Sequence, residues 1–457
     1  MAKKLSESKY LRWGILILVG FILSVNYYFY DAFSTLKDLL VEEFSFSNTQ
    51  YGLFVAFYSI PNTFLLMAVI GGVVLDKLGI RRTGFVFIFF MAFGAILTAY
   101  GASDFYKDGF GYSFMSSFLP NYSPELKMML LGRFFYGLGA ETSIVVISKV
   151  LVKWFKGKDL ALAFGLKVGF GRLGTFAALN LSPVLANGGK TLDVAVWFAG
   201  ILVCIGLFAF IVYMLFDIKF DKEVNEKQVL LSEKDKFKIS DIWGILTNRA
   251  YIFIALLCVT FYSAVFPFVA FAPDFFANKF GFTRIESGQI TSLLPLGTMI
   301  FTPIFGALID RLGRAASVMT FGSFILLLVH LTFALTNFPP YAPMILLGIS
   351  FSLVPAAMWP TMVKLVEEKQ IGTAYGLMYS IQNLGLWGFP IIAGFILDKT
   401  NIGITPEMVA SGEASLNYTY TILMFAALGF FGLFFGYMLK RNDKKYNLGV
   451  DQPLNKK

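Results

Sequence analysis

Charged residues inside apolar segments are the side chains of this sequence that are best placed to do chemistry. The segment 130–152 is long and apolar enough to cross a bilayer, yet it contains Arg133, Glu141 and Lys149. A charge at the centre of a membrane helix costs about 2.5–3.5 kcal/mol on insertion scales, so it needs a partner or a functional role. Glu141 is too central to reach either membrane surface, and the next apolar segment carries Arg172 near its own middle. We therefore take Glu141 and Arg172 as the first candidates for a binding site.

These two residues are expected at similar depth. Glu141 lies about 18 Å from the segment end near Lys153, and Arg172 lies about 20 Å from the start of its segment near Asp159, at 1.5 Å per residue. Two antiparallel helices would bring both near the bilayer midplane, where transporter sites lie. An acid and a base at one level can hold a zwitterion, with its carboxylate on the Arg fork and its ammonium on Glu141. A buried ion pair that only fixes helix packing, and proton coupling through Glu141, remain the alternatives.

The composition places the whole chain in a membrane. Of 457 residues, 57% are hydrophobic and 15% are charged, with a mean hydropathy of +0.68, whereas soluble proteins are nearer a quarter charged. Apolar segments of 20 residues or more recur throughout, and the first is too long for a signal peptide. The net charge of +9 fits cytoplasmic loops rather than nucleic-acid binding. Cys204 and Cys258 lie in apolar segments and indicate neither a disulfide framework nor a metal site, and we expect no cofactor.

The apolar segments predict an all-α polytopic membrane protein with twelve transmembrane helices in two six-helix bundles. The longest polar interruption divides the chain into a first bundle (1–216), a cytoplasmic linker (217–248) and a second bundle with a tail (249–457). Most of the 38 Lys and Arg residues fall on the side of the termini, so we expect both termini in the cytoplasm. The predicted helices are approximately 11–36, 49–75, 82–103, 126–153, 159–186, 192–216, 249–276, 286–309, 315–336, 341–366, 371–398 and 417–439.

The two halves repeat one another. The segment 72–82, Gly-Val-Val-Leu-Asp-Lys-Leu-Gly-Ile-Arg-Arg, follows the second predicted helix, and 306–314, Gly-Ala-Leu-Ile-Asp-Arg-Leu-Gly-Arg, follows the eighth. The fifth and eleventh helices share Ala163-Phe-Gly-Leu and Ala374-Tyr-Gly-Leu. A duplicated six-helix unit is typical of a transporter whose pseudo-symmetric halves rock about a central site. Aligning the halves places Glu141 opposite Ala357 and Arg172 opposite Asn383, so the charges belong to one half only.

The Gly-x-x-x-Asp-Lys/Arg-x-Gly-x-Arg-Arg turn resembles the cytoplasmic motif of the major facilitator superfamily. Its aspartate can cap a helix end and pair with an arginine, while its glycines let neighbouring helices approach closely. We expect this network to latch the cytoplasmic face as a gate. The gating residues are then Asp76, Lys77, Arg81, Arg82, Asp310, Arg311 and Arg314.

Five further stretches, spread over both halves, resemble the lysosomal dipeptide uniporter family within that superfamily. They are Tyr58-Ser-Ile-Pro-Asn, Trp154-Phe-Lys-Gly-Lys158, Phe164-Gly-Leu, Ala264-Val-Phe-Pro-Phe and Gly372-Thr-Ala-Tyr-Gly-Leu-Met-Tyr-Ser-Ile-Gln-Asn-Leu-Gly-Leu. The resemblance implies that Glu141 and Arg172 bind the substrate. The sequence departs from the family pattern at Lys167, where an uncharged polar residue is expected, and in the longer outside loop 104–125.

Neutral side chains are expected to complete the substrate site. Arg133, nearer the outer face, is a secondary candidate as a gate or a residue that reaches the surface, and Lys149 is expected to reach the inner surface. His330 is expected to pack in a peripheral helix. The neutral candidates are Asn383, Gln382, Tyr262, Trp359 and Asn26, the last because an uncompensated amide in lipid is costly.

Together these features predict a transporter that moves dipeptides or similar zwitterions by alternating access, as a facilitator. A proton-coupled carrier of small organic anions and a non-transporting membrane receptor or sensor are the alternatives. An enzyme is disfavoured, because HExxH, GxSxG and paired intramembrane aspartates are missing, and the sequence has no ATP-binding loop. We expect a monomer in a lipid bilayer with a small peptide as its substrate. An accessory membrane protein is a further candidate partner. The plasma membrane is the first expectation for its location and a lysosome-like membrane the second.

Overall fold

Helices form the regular structure of the computed structural model, which describes residues 8–155, 157, 159–186, 192–224, 239–367 and 370–452. Lys158 of the Trp154 stretch and residues 225–238 of the expected linker lie outside these described residues. The helices are α1 (Lys9–Ala32), α2 (Lys37–Phe44), α3 (Asn48–Phe57), α4 (Ile60–Phe64), α5 (Met67–Gly101), α6 (Tyr112–Ser116), α7 (Pro124–Phe155), α8 (Leu160–Leu185), α9 (Leu192–Val224), α10 (Ile239–Thr247), α11 (Arg249–Phe280), α12 (Arg284–Leu312), α13 (Ala315–Leu335), α14 (Tyr341–Lys364), α15 (Ile371–Thr400), α16 (Pro406–Ala410) and α17 (Thr419–Tyr446), with 3₁₀ turns at Phe33–Leu36 and Asp104–Tyr106.

The second predicted helix, 49–75, is not one helix, and this corrects the sequence prediction. It is broken into α3, α4 and the first part of α5, with Leu66 in the left-handed conformation at φ 51°. The side-chain oxygen of Asn62 accepts a hydrogen bond of 2.8 Å from the amide of Ala68 and bridges the break. Within the described residues, 11 continuous helical segments are long and apolar enough to cross a membrane. The broken helix provides the twelfth crossing.

The predicted turn between the second and third crossings is a sharp kink within α5. Gly79 has φ 78° and ψ 172° inside α5, a conformation that only glycine adopts without strain. Gly313, the equivalent residue of the repeat, ends α12 with φ 67°. The sequence repeat therefore encodes the same backbone requirement in both halves.

The charged segment after residue 216 also differs from the prediction. Helix α9 continues to Val224, and α10 lies within the expected linker. Asp217 and Asp221 lie one turn apart on this extension, and both form ion pairs with Arg81 and Lys153. The helix continues through polar sequence because its carboxylates face basic partners.

Two bundles pack side by side, the first formed by α1–α9 and the second by α11–α17. We call the end that carries both termini the proximal end and the opposite end the distal end. The bundles meet where α8 packs on α12 and where α3 packs on α15. The repeat relates the second crossing, which includes α3, to the eighth (α12), and the fifth (α8) to the eleventh (α15). One interface therefore joins the fifth crossing to the eighth, and the other joins their counterparts in the repeat, the eleventh and the second. A pseudo-two-fold arrangement requires this correspondence.

Candidate substrate-binding site and gates

Glu141 lies on α7 beside an aromatic cluster of the first bundle. Its carboxylate accepts a hydrogen bond of 2.5 Å from the hydroxyl of Tyr58, which follows α3. The Tyr58 ring packs on Tyr30 at 4.7 Å and on Tyr136 at 5.6 Å between centroids, so the hydroxyl is held in place. Glu141 is partly exposed, and no ion pair joins it to Arg172 in the part of the chain that the structure describes. The carboxylate is thus oriented by a neutral donor.

Arg172 lies on α8 and reaches towards the second bundle. Its guanidinium carbon is 4.9 Å from the ring centroid of Phe351 on α14 and 5.9 Å from that of Tyr27 on α1. Such cation–π contacts hold the planar group while leaving its N–H donors available. Tyr27 also lies within electrostatic range of Glu141. Among the described residues, Arg172 forms no ion pair and is partly exposed.

An aromatic wall in the second bundle faces this region. The indole N–H of Trp359 donates to the hydroxyl of Tyr262 at 3.0 Å, and its ring stacks on Tyr379 at 4.6 Å. The Tyr262 ring lies 5.5 Å from Phe351, the residue that holds Arg172. The structure therefore brings the predicted Tyr262 and Trp359 together beside the predicted arginine.

The three predicted amides are buried inside their own bundles. Asn26 is 3% exposed, and its side-chain oxygen accepts from Tyr136 at 2.5 Å. Gln382 contacts the thiol of Cys258 at 3.9 Å. Asn383 donates to the carbonyl of Tyr379 at 3.0 Å, while its buried side-chain oxygen has no partner among the described residues. In this conformation the amides pack behind the site rather than lining it.

Arg133 does not reach a membrane surface, and this corrects the sequence expectation. Its side chain is 1% exposed, and its one hydrogen bond, of 3.5 Å, runs from Nε to the carbonyl of Phe54. Ring centroids surround its guanidinium carbon at 4.6–6.0 Å, namely those of Phe29, Tyr30, Phe33, Phe54 and Tyr136. Arg133 is a buried cation held by aromatic faces.

Two further intramembrane charges lie near the site. Asp31 on α1 is 3% exposed and accepts a hydrogen bond of 2.6 Å from Thr175. Lys167 on α8 donates to the hydroxyl of Ser148 at 2.5 Å, with the carbonyl of Ile144 at 3.4 Å. Sequence reasoning did not assign Asp31, although the Asn-Tyr-Tyr-Phe-Tyr-Asp stretch placed a carboxylate inside an apolar helix.

Polar contacts join the two bundles at the distal end. The ammonium of Lys37 lies 2.6 Å from the carboxylate of Asp274, which also accepts a hydrogen bond from Tyr418. Arg284 forms an ion pair with Asp38 at 2.5 Å. We call these residues, together with the cap described next, the distal gate.

Asp398, near the end of α15, caps the first turn of α3 in the opposite bundle. Its carboxylate accepts from the backbone amides of Asn48 at 3.0 Å and Thr49 at 2.8 Å, and from both side chains. A carboxylate at a helix N-terminus also interacts favourably with the helix dipole. No local sequence pattern predicts this contact, because the two residues are 350 positions apart in the chain.

At the proximal end, the predicted gating residues divide into two groups. Asp76 pairs with Lys149 at 2.6 Å, so its partner is a lysine on α7, not an arginine, and Lys149 is not a solitary surface-reaching charge. Arg81 pairs with Asp217 at 3.3 Å and Asp221 at 2.9 Å. The other predicted gating residues are exposed and form no ion pair with any described residue; they are Lys77, Arg82, Asp310, Arg311 and Arg314.

The motif of the second half contacts the C-terminal tail instead. The carboxylate of Asp451 accepts from the backbone amide of Ala316 at 2.8 Å, and its carbonyl accepts from the amide of Arg314 at 2.8 Å. The ammonium of Lys364 donates to the carbonyl of Gln452 at 2.6 Å. The tail thereby caps α13 at the position where the motif was expected to latch.

Comparison with known proteins agrees with this architecture. The family model described as Major Facilitator Superfamily matches residues 16–390 and 261–451. The lysosomal dipeptide transporter MFSD1 of Danio rerio is 32% identical over 394 residues, covering 84% of this chain and 80% of the relative. The protein of the same name from Homo sapiens is 32% identical over 395 residues, with the same coverage of both chains.

A solved structure with a similar fold is a bacterial homologue of the human lysosomal transporter Spinster, in an inward-facing and occupied conformation. It superposes with a TM-score of 0.68 at 14% identity and covers 96% of this chain and 98% of that one. At this identity the likeness shows the fold alone. With the family model spanning most of the sequence, the chain is a membrane transporter and not an enzyme. It belongs to the major facilitator superfamily.

Proposed function

We propose that the protein transports dipeptides by alternating access, as a facilitator, with Glu141 and Arg172 as the two ends of a substrate clamp. The observation that carries this proposal is that both residues are partly exposed and form no ion pair with each other within the described chain. A direct salt bridge between Glu141 and Arg172 would neutralise the two charges that a zwitterion binds. The named relatives, lysosomal dipeptide transporters, support dipeptides as the substrate class.

The clamp would bind both charged ends of the peptide. The Arg172 fork suits bidentate binding of the peptide carboxylate, and Glu141, steadied by Tyr58, suits its ammonium. A dipeptide separates these charges further than an amino acid does, which matches a clamp that is open between its ends. The wall formed by Tyr262, Phe351 and Trp359 would contact the peptide side chains.

Alternating access would follow from rocking of the two bundles. We propose that the proximal end is cytoplasmic, and that the present conformation is closed at the distal gate and opens towards the cytoplasm. Polar contacts between the bundles at the distal end, of which the Lys37–Asp274 pair is buried, support this assignment. Asp310, Arg311 and Arg314, exposed and unpaired among the described residues, would latch the proximal end in the opposite conformation.

The membrane in which the protein acts also belongs to the proposal. Positive charge near the termini favours a cytoplasmic proximal end, and the sequence favoured the plasma membrane. The word lysosomal in the relatives' name supports the second expectation, a lysosome-like membrane. Fractionation of cells that express the tagged protein separates the two locations.

Uptake by purified protein in liposomes tests the function. We expect accumulation of labelled alanyl-alanine without a pH gradient, and a rise in melting temperature with the same dipeptide. Glu141→Gln and Arg172→Ala should each abolish both effects, because each removes one end of the clamp. The matched controls Glu42→Gln and Arg441→Ala change exposed residues outside the site and should keep both effects.

Other outcomes identify the alternatives. Uptake that requires a pH gradient indicates proton coupling, and uptake of small organic anions without dipeptides indicates the anion carrier. Failure to transport any solute, with ligand binding retained, indicates a receptor. Full dipeptide stabilisation of both clamp variants would show that the proposed site is wrong.

A further inference from the structure

Lys167 is an intramembrane cation that the clamp does not use. It lies on α8 five residues before Arg172, about 7.5 Å nearer the proximal end at 1.5 Å per residue. Its ammonium donates to Ser148 at 2.5 Å and lies 3.4 Å from the carbonyl of Ile144, both on α7. Lys167 therefore reaches across from α8 to the helix that carries Glu141.

The point that Lys167 reaches lies on the same face of α7 as Glu141. Ser148 follows Glu141 by seven residues, which is two helical turns, so the two side chains project in nearly the same direction. Glu141, Ile144 and Ser148 are all partly exposed. Lys167 is itself partly exposed, so its ammonium lies beside the accessible part of this α7 face, on the proximal side of Glu141.

No acidic residue neutralises this ammonium. Within the described residues, no carboxylate lies within 4.0 Å of the Lys167 nitrogen. An ammonium carries three donors, and one hydroxyl, one distant carbonyl and the ring of Phe164 at 5.7 Å do not replace the hydration that a charge loses inside a membrane. A role limited to joining α7 and α8 would need only a neutral donor. The positive charge itself calls for an explanation.

Three cations lie in or near the site, Arg133, Lys167 and Arg172, against two carboxylates, Asp31 and Glu141. They leave a positive excess for the substrate. A zwitterionic dipeptide would match Arg172 with its carboxylate and Glu141 with its ammonium, and the second bundle offers neutral aromatic side chains here. Lys167 would then still face the ligand without a counter-ion. A second carboxylate on the substrate would supply one.

We propose that Lys167 determines substrate specificity, so that the site prefers dipeptides with an acidic side chain over neutral ones and disfavours basic ones. This inference rests on the proposed function, since it names the subclass of dipeptide that the same site takes. A side-chain carboxylate gains a charge-assisted hydrogen bond from the ammonium, whereas a basic side chain meets like charge.

Binding of three matched dipeptides tests the inference. Alanyl-glutamate and alanyl-glutamine differ only in the charge of one side chain, and alanyl-lysine reverses that charge. Isothermal titration of the wild-type protein should give about tenfold tighter binding of alanyl-glutamate than of alanyl-glutamine, the typical worth of one charge-assisted hydrogen bond. Lys167→Met, which keeps the length without the charge, should remove this preference and leave alanyl-glutamine binding unchanged.

Control variants keep the test decisive. Lys399→Met removes an exposed lysine of α15 outside the site and should retain the tenfold preference. Lys167→Arg keeps the charge and should also retain it, which covers the case in which Lys167→Met does not fold.

The two levels of the proposal fail differently. If no dipeptide binds the wild-type protein, the proposed function itself is overturned. If alanyl-glutamine binds and Glu141→Gln abolishes that binding, the clamp stands. Equal binding of the acidic and neutral dipeptides, or a preference that survives Lys167→Met, then overturns the role of Lys167 alone.

Discussion

Glu141 accepts a hydrogen bond of 2.5 Å from the hydroxyl of Tyr58. The sequence instead predicts Arg172 as the oppositely charged residue at the same depth. Phe351 and Tyr27 hold the guanidinium of Arg172 by their ring faces. The acid and the base are thus each held by aromatic side chains. A site arranged in this way is preorganised for a ligand with two charges, because the clamp residues need not first break a salt bridge.

Removing the Tyr58 hydroxyl should therefore weaken dipeptide binding without abolishing it. In Tyr58→Phe, Glu141 loses the donor that orients its carboxylate. A hydrogen bond to a charged group contributes about 1.5–3 kcal/mol, so we expect the affinity for alanyl-alanine to fall about tenfold or more. Isothermal titration measures the change directly.

Tyr106→Phe is the matched control for this substitution. The Tyr106 hydroxyl is buried in a small separate cluster and has no hydrogen-bond partner among the described residues. Its removal should leave dipeptide affinity unchanged. Equal affinities for the Tyr58 variant and the wild-type protein would contradict the role given to Tyr58.

The distal gate predicts a difference between single and double charge removal. Lys37 and Asp274 have side chains only 2% and 6% exposed and lie 2.6 Å apart. Removing one member of a buried pair costs about 3–5 kcal/mol, because the other charge stays buried without a partner. Lys37→Met should therefore lower the melting temperature strongly. The double variant Lys37→Met with Asp274→Asn should recover most of the loss.

Arg284 and Asp38 supply the comparison, because Asp38 is 41% exposed. Partly exposed pairs contribute about 1 kcal/mol or less, so Arg284→Met should shift the melting temperature only slightly. Similar shifts for Lys37→Met and Arg284→Met, or a double variant no more stable than Lys37→Met, would contradict the gate as described.

Sequence reasoning succeeded where the pattern is repeated or periodic. The crossings follow from hydrophobic length and the duplicated turn from the internal repeat, whereas the substrate roles of Glu141 and Arg172 stay predictions. The proximal turn was predicted as a site of glycine and charge, and Gly79 and Gly313 indeed adopt positive φ there. Such features depend on residues close together in sequence.

The contacts that were missed are those between distant segments. Asp398 caps α3 across 350 residues, and neither end shows an unusual local pattern. Arg133 was placed nearer the surface because four of its five aromatic neighbours come from two other stretches of the chain, residues 29–33 and the one that contains Phe54. Asp217 and Asp221 were assigned to the linker, although their four-residue spacing already marked one helical face. The depth of a residue along a helix can be calculated from the sequence. Its contact partners on other helices cannot be identified in this way.

The proximal ion pairs should differ in their importance for stability. Asp217 is 1% exposed and accepts from Lys153 at 2.8 Å and Tyr213 at 2.9 Å, with Arg81 at 3.3 Å. Asp217→Ala should therefore lower the melting temperature, since it takes the acceptor from the buried hydroxyl of Tyr213, while Arg81 and Lys153 keep Asp221 as a partner. Asp76→Ala removes a pair whose members are 34% and 41% exposed and should change it little. The reverse order in a thermal-shift comparison would contradict this interpretation.

Packing between α3 and α15 gives a direct way to force the distal end open. A Cβ atom at Gly394 would lie 2.1 Å from the backbone carbonyl oxygen of Asn48, which cannot move aside as a flexible side chain would. Gly394→Ala should therefore separate the two helices and disfavour the closed distal gate, with a typical overpacking cost of about 1–3 kcal/mol. The proposed alternating-access cycle predicts a shift towards a conformation that is open at the distal end.

Labelling of a buried distal cysteine measures this shift. Ala270, whose carbonyl accepts from Tyr51 at 2.9 Å, is 7% exposed, so Ala270→Cys should react slowly with a membrane-impermeant maleimide added from the distal side. Adding Gly394→Ala should raise the labelling rate about tenfold. Gly388→Ala is the control on the same helix, because its Cβ would meet nothing within 4 Å, and it should leave the rate unchanged. Equal rates in the two alanine variants would mean that the α3–α15 contact does not hold the distal gate closed.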